Sequence, residues 1–189
     1  RLRQAVLKAR AANMPADNID RAIKKGAGEL GGADFHELLY EAYGPGGVAL
    51  LIQILTDNKN RSAAEVRNTL AKHGGNLGES GSVSYLFKRR GVVVIDAAQH
   101  SEDEVMEVAI EAGALDVADD DGFIEVLTEP NDFDAVLQSI QGAELATAGA
   151  EITWVADVSM ELPAKTAVAA LRLIEMIEDL DDVQSVATN

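Results

Sequence analysis

The chain of 189 residues has no cysteine, so it can form neither a disulfide nor a site that depends on a thiolate. This absence is typical of proteins in a reducing compartment, and we expect a cytoplasmic location. No apolar segment approaches the roughly 20 residues that a membrane-spanning helix needs, so we expect no membrane partner. A hydrophobic content of 47% with 25% charged residues indicates an ordinary globular protein.

The sequence also lacks the motifs of common catalytic and metal sites. It has no Gly-Lys-Ser or Gly-Lys-Thr tripeptide of a phosphate-binding loop, and Gly78–Ser82 departs from the nucleophile elbow at its last position. The three histidines lie far apart in the sequence. The acidic run from Val117 to Thr128 has a residue unsuited to calcium at both anchor positions. We therefore expect no enzymatic activity, no cofactor and no metal.

Lysine and arginine are nearly absent from the second half of the chain. Residues 1–90 carry 14 Lys and Arg against 9 Asp and Glu, a net charge of +5, whereas residues 91–189 carry 2 against 23, a net charge of −21. Such a chain can present a basic face to an anionic polymer while its acidic part is repelled. The acidity itself is explained equally well by solubility, and it also suits a protein partner.

The spacing of apolar residues predicts two helices at the start of the chain, separated by a break at Pro15. A flexible linker is expected from Gly26 to Asp34. Two strand-like runs on either side of Gly44–Gly47 predict a β-hairpin that ends in the polar segment Thr56–Arg61.

A capping-box pattern that starts at Ser62 predicts that the following helix begins near Ala63. In this interpretation Thr56–Arg61 connects a strand to a helix. Ser82–Phe87 is expected to form the next strand. From Gly91 the pattern is βαββαβ, the order of the ferredoxin-like arrangement.

The helix and strand after Pro163 have no partners of their own, so we expect them to return to the unit that begins at Phe35. The predicted fold class is α+β: a small N-terminal helical domain and two α/β sandwich domains, the third ferredoxin-like and inserted into the second. The predicted boundaries are residues 1–33 for the helical domain, 34–90 with 157–189 for the discontinuous domain, and 91–156 for the acidic insert.

The basic residues of the first half are the candidate site for nucleic acid. Lys and Arg side chains contact phosphates, and the amides at a helix N-terminus also accept anions. The alternative is that the polar segment Thr56–Arg61 only turns the chain. The candidate residues are Arg1, Arg3, Lys8, Arg10, Arg21, Lys24, Lys25, Lys59, Arg61, Arg67, Lys72, Lys88, Arg89 and Arg90.

Three segments, in order, resemble the YebC/PmpR family: "MPADNIDRAIKKGAG", "YEAYGPGGVALLIQILTDNKNRSAAEVRNTLAKHGG" and "GSVSYLF". The family includes a mitochondrial translational activator of cytochrome c oxidase. The resemblance implies the three-domain arrangement given above and no catalytic residue. It implies a DNA-binding regulator of transcription, or alternatively a ribosome-associated factor that contacts rRNA or tRNA and assists synthesis of proline-rich sequences.

The family has a basic N-terminal segment, and we expect this chain to be a fragment that lacks it. No helix of the sequence is rich in Asn, Gln and Arg at base-reading positions, which weakens the case for sequence-specific reading of DNA. The sequence predicts no oligomeric state.

Overall fold

A computed structural model describes residues 2–11, 14–27 and 35–189. The predicted linker lies mostly outside this range. The helices are α1 (Leu2–Ala11), α2 (Ala16–Gly26), α3 (Lys59–Lys72), α4 (Glu102–Glu111), α5 (Phe133–Gly142) and α6 (Ala164–Glu178). The strands are β1 (His36–Tyr43), β2 (Ala49–Thr56), β3 (Asn76–Leu77), β4 (Phe87–Asp96), β5 (Asp116–Asp120), β6 (Phe123–Thr128), β7 (Thr147–Ala156) and β8 (Val183–Thr188).

The first sheet has the order β3-β1-β2-β8, with every neighbouring pair antiparallel. The predicted hairpin is formed by β1 and β2, and its turn contains Gly46 and Gly47 with φ values of 78° and 84°. Glycine adopts such values at no steric cost, which explains the glycines at the turn. The last strand of the chain returns to pair with β2, as the unpartnered apolar pattern after Pro163 predicts.

One face of this sheet is covered by α3 and α6. Alternate residues of β2, beginning at Leu50, point into a core that also receives Val66 and Leu70 from α3 and Leu173 and Ile177 from α6. These side chains are almost completely buried. Residues from both ends of the discontinuous unit therefore form one core.

The second sheet has the order β5-β6-β4-β7 and is antiparallel throughout. Both α4 and α5 pack on the same face, where Val105 and Phe133 meet Val93 and Ile124 of the sheet. The chain order βαββαβ with this strand order is the ferredoxin-like arrangement. The α+β fold class is thus confirmed: a small helical part followed by two α/β units, the second inserted into the first.

The prediction for the start of α3 was wrong. The helix begins at Lys59, and its N-cap is Asn58, whose side chain accepts a hydrogen bond from the Arg61 amide at 3.2 Å. Ser62 does not cap the helix because it lies inside α3, where its hydroxyl forms hydrogen bonds with Thr56 and Asp182. Lys59 and Arg61 therefore belong to the first turn of α3, and only Asp57 and Asn58 connect the strand to the helix.

The prediction of a strand at Ser82–Phe87 was also wrong. Ser84–Leu86 forms a 3₁₀ turn, and the edge of the first sheet is completed by the two-residue β3 instead. Val83 and Phe87 are both buried, against Ala49 and Leu51 on the side of the first sheet that faces away from α3 and α6. In the sequence, the spacing of the apolar residues Val83 and Phe87 therefore resembles the spacing of buried residues in a strand.

The carboxylate of Glu41, in β1, explains the path of this segment. It accepts hydrogen bonds from the amides of Gly81, Val83 and Ser84, each at 2.7 Å, so these amides cannot pair with a strand. Glu41 is 7% exposed. Burial acts to raise the pKa of Glu41, but the three amide donors outweigh it, and its pKa is lowered.

The domain boundaries stay a prediction. The position of β4 is relevant to one of them. β4 begins at Phe87 and pairs with β7 from that residue onwards, so the predicted boundary between residues 90 and 91 falls inside a strand. The buried cluster around Leu51 and Phe87 also receives Trp154 of β7 and Ala187 of β8. The two sheets therefore share a small apolar contact.

We expect Glu41→Gln to lower the free energy of unfolding at neutral pH by about 1–3 kcal/mol, because the amide is a weaker acceptor and brings an NH₂ donor to a site made of donors. Since the pKa of Glu41 is lowered by folding, its contribution is present above the ordinary glutamate pKa and is lost as the pH falls through the folded value. Urea unfolding at pH 7 and at about pH 3 should show the difference between the two proteins shrinking in acid.

The control is Glu79→Gln, because Glu79 is exposed in the same loop. We expect this variant to change the free energy of unfolding by no more than about 0.5 kcal/mol. A Glu41→Gln protein as stable as the parent at neutral pH would contradict the role given to Glu41.

Candidate nucleic-acid interface

The candidate cations of the N-terminal part lie on α1 and α2. Arg10 is exposed on α1, and Arg21, Lys24 and Lys25 are exposed on α2. Lys24 and Lys25 occupy the last turn of α2, where cations interact favourably with the helix dipole. Arg3 and Lys8 lie in the backbone range of α1, their side chains are not among those described, and Arg1 lies outside the described residues.

Three candidate cations are exposed along α3: Lys59, Arg67 and Lys72. Within the described parts of the chain, none of the three forms a salt bridge with a carboxylate. Lys59 and Arg67 are eight residues apart, which is about 12 Å along the helix axis. This helix therefore offers three positive charges that are available to a ligand.

Tyr40 links α3 to β1 beneath these cations. Its hydroxyl donates a hydrogen bond to the carbonyl oxygen of Lys59 at 3.3 Å. Burial raises the pKa of Tyr40, and the positive charge of Arg67 opposes this effect only in part. The tyrosine stays protonated at neutral pH and can keep its donor role.

Arg61 differs from its neighbours because two carboxylates already bind its guanidinium group. Its Nη2 atom lies 3.0 Å from Oδ1 of Asp57, and 3.0 and 2.9 Å from the two carboxylate oxygens of Asp182. The hydrogen bond with Asp182 is the main reason that the pKa of Arg61 is raised. A phosphate would have to compete with both carboxylates for this side chain.

Asp182 lies in the turn between α6 and β8 and joins three parts of the fold. Its Oδ2 atom accepts hydrogen bonds from the hydroxyls of Ser62, at 2.6 Å, and Thr56, at 3.0 Å, while its backbone carbonyl accepts from the Leu55 amide at 2.8 Å. Burial acts to raise the pKa of Asp182, but the donors from Ser62, Arg61 and Thr56 outweigh it, and the pKa is lowered.

The basic segment Lys88–Arg90 lies in β4, in the second sheet, and its side chains also have partners. Nζ of Lys88 is 2.7 Å from Oδ2 of Asp157, and Arg90 forms a salt bridge with Glu129. The guanidinium carbon of Arg89 lies 5.6 Å from the centre of the Trp154 ring, a cation–π distance. This segment thus lies in the second sheet, whereas the cations of α3 lie on a helix that covers the first sheet.

Sequence reasoning missed the acidic partners of these cations. Asp182, Asp157 and Glu129 are distant in the chain from the basic residues that they contact. No pattern within a short stretch of sequence indicates such pairs, because the two residues of each pair come together only in the folded protein. The four candidates Arg61, Lys88, Arg89 and Arg90 are therefore engaged within the protein.

Residues 91–156 carry 16 Asp and Glu and no Lys or Arg. Among the residues that the structure describes, no three His, Asp or Glu side chains are grouped so that they could hold a metal ion. The same residues include no helix with the length and apolar content needed to span a membrane.

We expect Asp182→Ala to lower the free energy of unfolding at pH 7 by about 1–3 kcal/mol, because the buried hydroxyls of Ser62 and Thr56 lose the carboxylate acceptor that they share. Since folding lowers the pKa of Asp182, its contribution holds above the ordinary aspartate pKa and disappears as the pH falls through the folded value. Urea unfolding over this pH range measures both effects.

Arg61→Ala should cause a smaller loss, because the Arg61 side chain is 45% exposed and the Asp182 side chain only 13%. The double variant should be less destabilised than the sum of the single changes, since both remove the same contact. Strict additivity of the two changes would show that the pair does not interact in solution.

Comparison with known proteins matches both parts of the chain to one family. Residues 1–29 match the TACO1/YebC protein N-terminal domain, and residues 35–189 match the TACO1/YebC second and third domain. A "Probable transcriptional regulatory protein" of Treponema denticola is 57% identical over 189 residues, which cover all of this chain and 76% of the relative.

Further relatives with the same printed name occur in Treponema pallidum, at 52% identity, and in Desulfosudis oleivorans, at 47%; each match covers all of this chain and 77% of the relative. Among solved structures, the conserved hypothetical protein Aq1575 from Aquifex aeolicus is 45% identical, with a TM-score of 0.90 over 99% of this chain and 77% of that one. The chain therefore belongs to the TACO1/YebC family.

Proposed function

We propose that the chain is a non-enzymatic regulator of transcription that acts in the cytoplasm and binds DNA through the exposed cations of α2 and α3. The names of its relatives support the regulatory part of this proposal. The observation that carries the DNA-binding part is the set of cations on α3, Lys59, Arg67 and Lys72, which are exposed and have no carboxylate partner in the described structure.

The chemistry of these residues favours contacts with phosphates. Lys and Arg position a protein on the DNA backbone without reading its sequence. Lys24 and Lys25 at the end of α2 add charge of the same kind. Arg61 contributes little in this proposal, because binding to a phosphate would release two carboxylates that it now neutralises.

The distribution of charge also indicates which part of the molecule approaches DNA. The insert of residues 91–156 has a net charge of −16 and would be repelled by phosphates at moderate salt. DNA should therefore lie against α2 and α3, with the insert directed away from it.

The test is the salt dependence of binding to duplex DNA, measured by fluorescence anisotropy. The double variant Lys59→Ala/Arg67→Ala should bind more weakly to every sequence, and the slope of log K against log salt should become shallower by about 1 for each cation removed. The fold should persist, because neither side chain is buried.

The matched control is Lys165→Ala/Arg172→Ala, which removes two exposed cations from α6. Its affinity and salt slope should equal those of the parent. Equal losses in both double variants would mean that only net charge matters, which contradicts an interface on α3. If the parent protein does not bind duplex DNA but sediments with ribosomes, the proposal that DNA is its ligand is wrong.

A further inference from the structure

The outward face of α6 carries large apolar side chains that the rest of the described structure leaves uncovered. Val168 and Leu171 lie three residues apart on this face and are 67% and 61% exposed. Ala164 precedes Val168 by four residues and Glu175 follows Leu171 by four, so the four side chains form one row along the helix. The opposite side of α6 packs into the core of the first unit. This helix therefore has an apolar row on both sides, and only the inner one is buried.

The outward face of α6 also carries the two cations of the second half of the chain. Residues 91–189 contain 2 Lys and Arg against 23 Asp and Glu, and both cations, Lys165 and Arg172, are exposed on this helix. Within the described residues, neither cation forms a salt bridge, and the same holds for Glu175. Together with Glu175 and Glu178 the two cations give α6 a net charge of zero. A protein surface can therefore approach this face without strong repulsion.

The order of these charges along α6 indicates what would approach it. The cations Lys165 and Arg172 come first, and the carboxylates Glu175 and Glu178 follow at the end of the helix. A copy of α6 that runs in the opposite direction would bring its acidic end to the basic part of the first helix. A copy that runs in the same direction would instead place like charges side by side. The face is thus complementary to itself in the antiparallel arrangement.

A two-fold axis level with Ala170 satisfies both the apolar row and the charges. Lys165 and Glu175 are each five residues from Ala170, so in an antiparallel pair Lys165 faces Glu175 of the partner subunit. Val168 and Leu171 are within two residues of the same level, so those of both copies meet near the axis. Such a contact uses the same surface patch on both subunits, as a symmetric dimer requires.

The position of the acidic insert is compatible with this contact. The insert packs on the first sheet through Phe87 and Trp154, on the side that faces away from α3 and α6. Two copies that meet through α6 would therefore hold their inserts on the far sides of their first sheets. Salt screens exposed charges that are more than about 10 Å apart, so the repulsion between the two inserts would be small.

We propose that two copies of the chain form a symmetric dimer in which α6 packs antiparallel against α6 of the partner subunit. Val168 and Leu171 of both copies form the apolar centre, and Lys165 pairs with Glu175 of the partner subunit on each side of it. A contact between two 15-residue helices is a small interface, so we expect a Kd on the order of 10 μM. The contact does not involve the cations of α3, so this proposal does not depend on DNA binding.

Sedimentation equilibrium of the protein between about 1 and 200 μM should show a monomer that becomes a dimer. Val168→Asp should weaken the dimer at least about tenfold, because it places a carboxylate in the apolar centre. The matched control is Val158→Asp, since Val158 is 65% exposed and precedes α6. This variant should dimerise as the parent does, and both variants should keep the thermal melting of the parent.

Charge reversal tests the direction of the two helices. Lys165→Glu and Glu175→Lys should each weaken the dimer by about tenfold, because each change converts two ion pairs into two like-charge contacts. The double variant Lys165→Glu/Glu175→Lys should recover the Kd of the parent to within about threefold, since the pairs form again with their signs exchanged.

Three results would overturn the proposal. The first is a parent protein that stays monomeric at about 200 μM. The second is a Val168→Asp protein that dimerises as well as Val158→Asp, which would place the association elsewhere on the molecule. The third is a charge-reversed double variant whose losses add instead of cancelling, which would contradict the antiparallel contact.

Discussion

The return of the last strand to β2 is the constraint on which the rest of the structure depends. A chain that leaves the first unit at Phe87 for an insert must come back before α6 and β8 can complete the core of α3 and β2. The carboxylate of Asp182 stabilises this return, since it binds the end of β2 through Thr56 and the first turn of α3 through Ser62 and Arg61. Two buried hydroxyls and a guanidinium group thus share one acceptor, which makes the closure specific as well as stable.

The same closure decides which positive charges are available to a ligand. Arg61 is used to hold Asp182 and Asp57, and Lys88 and Arg90 hold carboxylates beside the second sheet. Counting Lys and Arg in the sequence therefore overstates the basic surface. The candidate cations that stay exposed and have no carboxylate partner in the described structure lie on α1, α2 and α3. The value of a position for binding phosphate depends on its neighbours in the fold more than on its residue type.

Much of the fold could be predicted from periodicity, because each helix and strand of the insert buries one face at its own repeat. The return of α6 and β8 followed from their apolar faces, which had no other partner. The start of α3 could not be predicted, because Asn58 and Ser62 are both residue types that favour an N-cap. In the structure Asn58 is the cap, and the Ser62 hydroxyl instead binds Asp182, which is distant in the sequence. The prediction of a strand at Ser82–Phe87 was wrong for a similar reason. The amides of Val83 and Ser84 donate to the distant Glu41 and are not available to pair with a strand.

The division of charge follows the division of the chain, and this has a physical consequence for binding. The insert is attached through β4 and β7, which pair with each other along their length, and its base packs on the first sheet through Phe87 and Trp154. Its acidic side chains are thereby held on the strands and helices of the second sheet, whereas the cations of α3 belong to a helix that packs on the first sheet. A phosphate ligand is consequently attracted to the cations of the first half of the chain and repelled by the insert.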